Sequence, residues 1–565
     1  MAEDLDTLVR KYALQNAVKY GGKPQAGTVV SRIMGEYPEY RSEGRKVSLL
    51  AKSVVREVGA LSPEKQREEL ARIAPRLLAE LSEVHEHAKA GLPALEGAEK
   101  GVVMRFAPNP SGPLHLGHAR AALLNDAYVR RYGGKYLLRI EDTDPRRVDP
   151  DAYTTVREDC AWLDLLIDDI VFQSDRLDIY YDHARKLIEL GGAYVCTCEA
   201  DQFRELKLAK QACPCRETSP EKNLELFEAM LGGEYAEGAV TVRVKTDIGH
   251  PDPAVRDFSA LRIVSSPPHP RVDATVFPLM NFSVAVDDHL LGVTHVIRGK
   301  DHIANTARQR YVFDYFSWKP PGYRHYGRMG IEGVVLSTSQ MKAGIREGTY
   351  TGWDDIRLGT LRAIARRGIT PEAVRNAVLE IGIGETDISF SWENLYAKNR
   401  DIVDPVANRY SFVPDPVFLE IGDAPCGFVA EALLHPNDPA RGTRKLPFDG
   451  SVLIPKADVD ANCGGMIRLK DLFNIALGSD RECLAAKFAG KSLDDARRAK
   501  APIVQWLPPA HTIPCVLHKP DGEMRGYCEP VVSLDLGKVV QFERVGFARI
   551  EKATAMLIEA YWGHR

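Results

Sequence analysis

The run Arg105-Phe106-Ala107-Pro108-Asn109-Pro110-Ser111-Gly112-Pro113-Leu114-His115-Leu116-Gly117-His118 constrains this chain more than any other. Val102 to Ala107 is an apolar stretch that reads as a buried strand with Arg105 near its exit. A turn rich in proline and glycine ends that strand. A helix starting near Leu114 then carries Ala119, Leu123, Leu124, Ala127 and Tyr128 at helical spacing. His115 and His118 lie three residues apart and share one face of the first helical turn. Unpaired backbone N–H groups and the positive end of the helix dipole lie there too. Such a place suits the phosphates of a nucleotide, and a surface turn with two incidental histidines is the alternative.

The strand–helix pattern continues. Gly133-Gly134 stops the helix and Tyr136-Leu137-Leu138-Arg139-Ile140 forms the next strand, which predicts a parallel, doubly wound sheet. Ligands in such sheets bind beyond the C-terminal strand ends, where Arg105 and Glu141 should emerge. Glu141-Asp142-Thr143-Asp144-Pro145 therefore puts acidic groups at the mouth of the sheet. A carboxylate there can hold an ammonium group through a charge-assisted hydrogen bond, although an acidic loop is the commoner meaning of such a run. Farther on, Val293 to Ile297 leads an apolar strand to Arg298, again at the ligand edge, where an arginine takes a carboxylate as a two-pronged fork.

Cys196-x-Cys198 and Cys213-x-Cys215, fourteen residues apart, bring four thiols into one short segment. Four thiolates suit a tetrahedral zinc in a structural role, with no open position for catalysis; buried free thiols are the alternative. The other cysteines (160, 426, 463, 483, 515 and 528) are scattered and read as ordinary buried residues.

A chain of 565 residues implies several domains. With 74 Lys and Arg against 78 Asp and Glu, no overall basic character marks a nucleic-acid binder, so such contacts must come from local patches. The acidic start, Met-Ala-Glu-Asp-Leu-Asp, is unlike a secretory or transit peptide, and no apolar run of about twenty residues predicts a membrane span. Ten cysteines without a leader fit a reducing cytosol, hence a cytoplasmic protein. Residues 1 to 99 read as helices: Ser62 caps, Pro63 opens the first turn, and Leu70, Ile73, Leu77, Leu78 and Leu81 share a face. From Asp404 onward the periodicity changes to short strands such as Ser451–Ile454 and Gly465–Leu469, separated by Gly/Pro/Asp turns, which predicts antiparallel barrels.

His-Leu-Gly-His after a strand and a Pro-Asn-Pro-Ser-Gly-Pro turn resembles the HIGH motif of class I aminoacyl-tRNA synthetases. The Ile140-Glu141-Asp142-Thr143-Asp144 segment and Arg298 resemble the glutamyl/glutaminyl branch, and the layout from about Arg105 to the C-terminus resembles archaeal-type glutamyl-tRNA synthetases. No G-x-G-x-x-G dinucleotide fingerprint follows the strand. The resemblance implies a multidomain α/β plus β chain. An N-terminal helical domain (1–99) precedes a Rossmann-like catalytic domain in two parts (100–195 and 276–348), split by an insertion that binds the tRNA acceptor end (196–275). A helical connector (349–403) and a β-barrel anticodon-binding region (404–565) follow.

The resemblance also implies roles. His115, His118, Ser337 and Lys342 would carry catalysis, and ATP with Mg2+ would meet Pro108, Gly112, Gly117 and Ser339 beside them. Arg105, Asn109, Glu141, Met280, Asn281 and Arg298 would bind L-glutamate, with Glu141 on the ammonium and Arg298 selecting glutamate over glutamine. Cys196, Cys198, Cys213 and Cys215 would hold a structural Zn2+. Partners would be tRNA(Glu), tRNA(Gln) as a second substrate, and a protein bound through the N-terminal helices. Three departures stand out: Met280 replaces a frequent tyrosine, Asn109 replaces the serine of the bacterial branch, and Thr338 stands where the family's KMSKS loop carries a lysine. Lys342 or Arg346 would have to supply that charge. Glutaminyl-tRNA synthetase and a non-catalytic tRNA-binding paralogue remain as alternatives. Arg441, Arg444, Lys445, Lys470 and Arg549 are candidate tRNA contacts, a solvated face being the ordinary meaning of each.

Overall fold

The computed structural model describes residues 4–19, 22, 24–78, 91–425, 427–479 and 485–565. Two compact units result, Met1–Ala94 and Leu95–Arg565. In the first, helices Leu5–Lys19, Ala26–Glu36, Gly44–Gly59 and Pro63–Ile73 bury Leu8, Val9, Ala13, Ile33, Val47, Ala51, Val58 and Leu70. The Ser62 hydroxyl accepts from the Lys65 N–H at 3.3 Å, as its cap position predicts. The expected apolar face of Leu70, Ile73, Leu77 and Leu78 does not lie on one helix. The helix ends at Ile73 because Pro75 offers no N–H to the preceding turn; Leu81 lies outside the described residues.

The second unit is built on parallel strands. Val102–Phe106 pairs with Gly134–Ile140, which pairs with Asp169–Phe172. On its other side Val102–Phe106 is flanked by His295–Gly299, through a Thr294 N–H to Val103 carbonyl bond of 2.9 Å. His295–Gly299 in turn pairs in parallel with Gly322–Tyr326. Chain order therefore reverses between Val102–Phe106 and His295–Gly299, the point at which sheets of this kind bind ligands. Gly134 is obligatory: at φ +124° a Cβ would lie 1.8 Å from the Val102 carbonyl oxygen.

Between the two halves, Ala193–Cys196, Thr241–Val244, Phe258–Ile263 and Val276–Pro278 form a four-stranded antiparallel sheet with helices Ala200–Leu208 and Pro220–Leu231. The proline-rich stretch from Pro251 to Pro270 contains the strand Phe258–Ile263. Its prolines sit at either end, leaving Phe258, Ala260, Leu261 and Ile263 to enter the core. After the catalytic half come Leu361–Arg366, capped by Thr360, and Pro371–Ile381, capped by Thr370.

From Arg409 two sheets close on themselves. One has seven strands and closes through the continuous segment 409–414; the other has six and closes through the Leu453–Leu507 bridge. They are not purely antiparallel. Cys515–His518 runs parallel to Ile558–Tyr561, and Glu420–Gly422 runs parallel to Ala485–Lys487, since these strands are joined by long crossings rather than hairpins. Phe542–Arg549 lies in a hairpin: Val539–Phe542 turns through Arg544, at φ 66°, into Gly546–Ala553. No helix among the described residues is long and apolar enough to cross a membrane.

Candidate active site

A cavity of about 680 Å³ opens at the switch point. Of the residues singled out from sequence, Arg105, Pro108, Asn109, His115, Gly117, His118, Glu141, Met280 and Arg298 line it, whereas Gly112, Asn281, Ser337, Ser339 and Lys342 do not. Arg105 and Arg298 come from the ends of the two strands that flank the reversal, and Glu141 follows the third.

Charge is arranged here by partners the sequence did not announce. Asp288, on the helix Met280–Leu290, accepts from Arg105 Nε and Nη2 at 3.3 and 3.4 Å and from Arg139 Nη1 at 2.6 Å. Burial alone would raise the Asp288 carboxyl, but Arg105 and Arg139 outweigh it and hold it below the usual range. Arg139 also donates to Glu141 Oε1 at 3.0 Å, while Oε2 has no protein donor among the described residues. Desolvation pushes Glu141 upward despite Arg139 and Arg105.

Arg298 differs from both other arginines. Its Nη2 donates to Thr306 Oγ1 at 2.6 Å and Gln309 Oε1 at 2.9 Å, its Nε is buried without a partner, and no carboxylate lies within 4.0 Å among the described residues. Burial, with Arg105 nearby, lowers its pKa to about 10. Around Asp288 and Glu141, three guanidiniums thus face two carboxylates, and Arg120, which also lines the cavity, is buried against the Gly327 and Gly382 carbonyls and adds to the positive excess. Of the acidic run 141–144, only Glu141 serves the cavity. Asp142 is consumed by Ser174 and Tyr153 at 2.7–2.8 Å, and Asp144 pairs with Arg262 at 2.9 Å.

The two histidines close the helix end by a reciprocal cap: His115 Nδ1 accepts from the Gly117 N–H at 3.1 Å, and His118 Nδ1 accepts from the His115 N–H at 3.3 Å. Their rings stack with centroids 3.8 Å apart. Burial lowers His115 to about 4 and drives His118 well below the usual histidine value, His115 adding to the latter. Both are neutral at pH 7, and since each Nδ1 accepts, each proton sits on Nε2. They act as hydrogen-bond donors rather than as cations.

The segment from Val335 forms an edge of the cavity through Leu336 alone. Ser337 caps the helix Thr338–Arg346 by accepting from the Gln340 N–H at 3.4 Å, and Lys342 is ion-paired with Asp149 at 2.8 Å. Thr338 packs against the signature turn: a Cβ on Gly112 would come within 2.9 Å of its methyl. Arg328, which lines the cavity, has a guanidinium in no hydrogen bond or ion pair among the described residues.

The four cysteines do converge. Cys196 and Cys213 sulfurs are 3.9 Å apart, Cys198 and Cys215 3.7 Å, and all four lie within 4.8 Å of one another. A tetrahedron with metal–sulfur bonds of about 2.3 Å has edges of about 3.8 Å, so the donor set fits zinc. Of the scattered cysteines, 160, 515 and 528 are buried and free; Cys463 instead is exposed and disulfide-bonded, and 426 and 483 lie outside the described residues.

Residues 101–405 match the family model for the catalytic domain of tRNA synthetases class I (E and Q). The chain belongs to that family. Residues 407–485 and 503–551 match its two anti-codon binding domain models. The chain is 64% identical to a glutamate--tRNA ligase of Methanoculleus marisnigri over the full length of both, and 58% identical to one of Methanospirillum hungatei, again over the full length of both. At 46% identity it matches a glutamate--tRNA ligase of Pyrococcus abyssi over all of both chains.

For a class I synthetase the residues missed from sequence are telling. Arg139, Asp288, Thr306, Gln309 and Arg328 gave no motif. The one available signal was a charge inside an apolar run, as in Tyr136–Ile140 and Phe282–Asp288. In the barrels, Arg444 is buried against Glu529 at 2.8 Å and Lys470 is paired with Glu543, so neither is free for nucleic acid. Arg441 donates to the Val406 carbonyl, Arg549 pairs with Glu551, and Lys445 remains largely exposed.

Proposed function

We propose that this chain is a glutamate–tRNA ligase. It activates L-glutamate with ATP and transfers the glutamyl group to the terminal ribose of tRNA(Glu). The observation that carries the reading is Arg298, a buried guanidinium at the edge of the cavity with no carboxylate partner among the described residues. A substrate carboxylate supplies the missing partner; a neutral amide leaves the charge unpaired, at a cost of about 2–5 kcal/mol. The surplus positive charge around Arg105, Arg139 and Arg298 favours glutamate over glutamine for the same reason.

In the first step a carboxylate oxygen of glutamate attacks the α-phosphorus of ATP. That P–O bond forms as the bond to the leaving pyrophosphate breaks, and no covalent enzyme intermediate is needed. Glu141, through Oε2, takes the ammonium group, and Arg105 faces the α-carboxylate. His115 and His118 offer Nε2–H donors beside the N-terminus of the helix Leu116–Tyr132, where phosphate charge is stabilised. Arg328 adds a cation, and Lys342 adds another once it leaves Asp149, with Ser337 and Ser339 offering hydroxyls. ATP enters with Mg2+, which is held chiefly by phosphate oxygens and water. In the second step the ribose hydroxyl attacks the acyl carbon, AMP departs, and the hydroxyl proton is lost.

We assign residues 196–275 to the tRNA acceptor end, 349–403 to a connector, and the barrels to the anticodon. Cys196, Cys198, Cys213 and Cys215 hold a structural zinc that ties the two ends of the knuckle together. We assign the N-terminal helices a partner-docking role. ATP and tRNA as substrates place the reaction in the cytoplasm. Charging purified tRNA(Glu) and tRNA(Gln) with each amino acid tests the reading: glutamate must be transferred to tRNA(Glu), and transfer of glutamine in its place would sink it. The same assay decides whether tRNA(Gln) is a second substrate.

A further inference from the structure

Selection by charge requires Arg298 to be held still without being neutralised, and the structure shows how. Its holders are uncharged. Thr306 and Gln309 stand three residues apart on one face of the helix Ile303–Tyr315, and both accept from the same nitrogen, Nη2. Gln309 is fully buried, and its own amide is oriented by Asn281, whose Oδ1 lies 3.5 Å from Gln309 Nε2. Asn281 donates in turn to Asn305 at 3.2 Å. The Thr306 hydroxyl is 2.9 Å from His325 Nε2. Every group from Arg298 out to Asn305 and His325 is an amide, a hydroxyl or an imidazole; beyond them Arg308 Nη1 donates to Asn305 Oδ1 at 3.0 Å, and no carboxylate enters these contacts. Anchored by one nitrogen, Arg298 keeps its remaining N–H groups for a ligand.

Arg105 and Arg139, by contrast, are held by Asp288, a carboxylate. An acid in place of Gln309 would be nearly identical in shape and would give Arg298 the same internal partner. We propose that Gln309 is a specificity-determining positioning residue: it fixes Arg298 without cancelling its charge, and so preserves the preference for an acidic side chain over its amide. The inference rests on the reading of Arg298 as the glutamate side-chain site. It is distinct from it, because Gln309 does not line the cavity.

The test uses the full-length chain with tRNA(Glu) bound and measures ATP–pyrophosphate exchange with glutamate and with glutamine. Gln309→Glu is expected to raise KM for glutamate about thirtyfold or more and to leave KM for ATP within about twofold, because only the side-chain site loses its charge. The ratio of kcat/KM for glutamate over glutamine is expected to fall about tenfold. Gln309→Met, equal in size but uncharged, is expected to raise KM for glutamate about fivefold or less, since Arg298 stays cationic and Thr306 still holds it. Equal losses in the two variants would reduce Gln309 to packing and overturn the proposal, as would an unaltered glutamate KM in Gln309→Glu. A wild-type chain that fails to activate glutamate would instead defeat the functional reading itself.

Discussion

Arg139 donates to Asp288 at 2.6 Å, and both side chains are sealed from solvent. The two residues stand 149 positions apart, on a strand of the first catalytic half and a helix of the second. Since Asp288 also receives the fork of Arg105, one carboxylate fastens two strand-borne guanidiniums, of which Arg105 lines the cavity. Electrostatics here joins the halves and shapes the amino-acid site at once.

Asp288→Asn therefore strips two buried guanidiniums of their shared anion. Removing one partner of a buried pair costs about 3–5 kcal/mol. Urea unfolding of the variant should show a loss of that order, with a raised glutamate KM in whatever folded protein remains. A loss below about 1 kcal/mol would mean that the network is not under the stress described.

His118→Ala removes an Nε2–H donor and half of the reciprocal cap. Exchange of pyrophosphate with ATP, measured with glutamate and tRNA present, should fall about tenfold or more. Normal exchange in a folded His118→Ala protein would defeat the assignment of phosphate contacts to this helix end.

The same histidines give a pH signature. His115, at about 4 in the folded chain, lies below its ordinary value of 6.5, so between those values the unfolded chain binds more protons. Stability from this group is complete above about pH 6.5 and is lost as pH falls towards 4; His118 acts in the same direction. The cost at pH 5 should be about 1–2 kcal/mol for His115 after allowance for its partial exposure. Unfolding midpoints at pH 5 and pH 7 should differ accordingly, and the difference should shrink in His115→Gln.

How much of this was legible in the sequence follows from the range of each interaction. The strand–turn–helix of 102–132, the cap at Ser62 and the cysteine cluster depend on spacings of a few residues, and they emerged as read. Arg139–Asp288 and the cavity-lining position of Arg328 depend on the tertiary pairing of distant segments, which leaves no local periodicity. Pro75 was a local signal with a plain reading, and it breaks a helix that the apolar pattern from Leu70 seemed to continue, whereas the turn at Arg544 left no such signal. Lys470 and Arg444 looked like free basic residues only because their glutamates come from segments far along the chain.

The knuckle makes a metal prediction. Purified protein should contain about one zinc per chain, and Cys213→Ser should lower that content and loosen the segment 196–215, seen as faster amide exchange there. Zinc-free protein with an unaltered segment would return the four thiols to ordinary buried residues.

Thr338 in place of a lysine leaves the phosphate charge on this side to be supplied by a residue that is now engaged elsewhere. Lys342 is held by Asp149, whose own N–H donates to the Pro110 carbonyl in the signature turn, so the loop is pinned to the turn it would serve. An exposed ion pair of this kind is worth at most about 1 kcal/mol, small enough to be exchanged for a triphosphate. If Lys342 works on ATP, Asp149→Asn should lower KM for ATP by about two- to fivefold, and Lys342→Ala should lower exchange about tenfold with little change in stability. Arg328→Ala separates the two cations, since its loss should raise KM for ATP whatever Lys342 does. A Lys342→Ala chain with normal exchange, beside a crippled Arg328→Ala chain, would assign the charge missing at Thr338 to Arg328 and leave Lys342 as a surface pair.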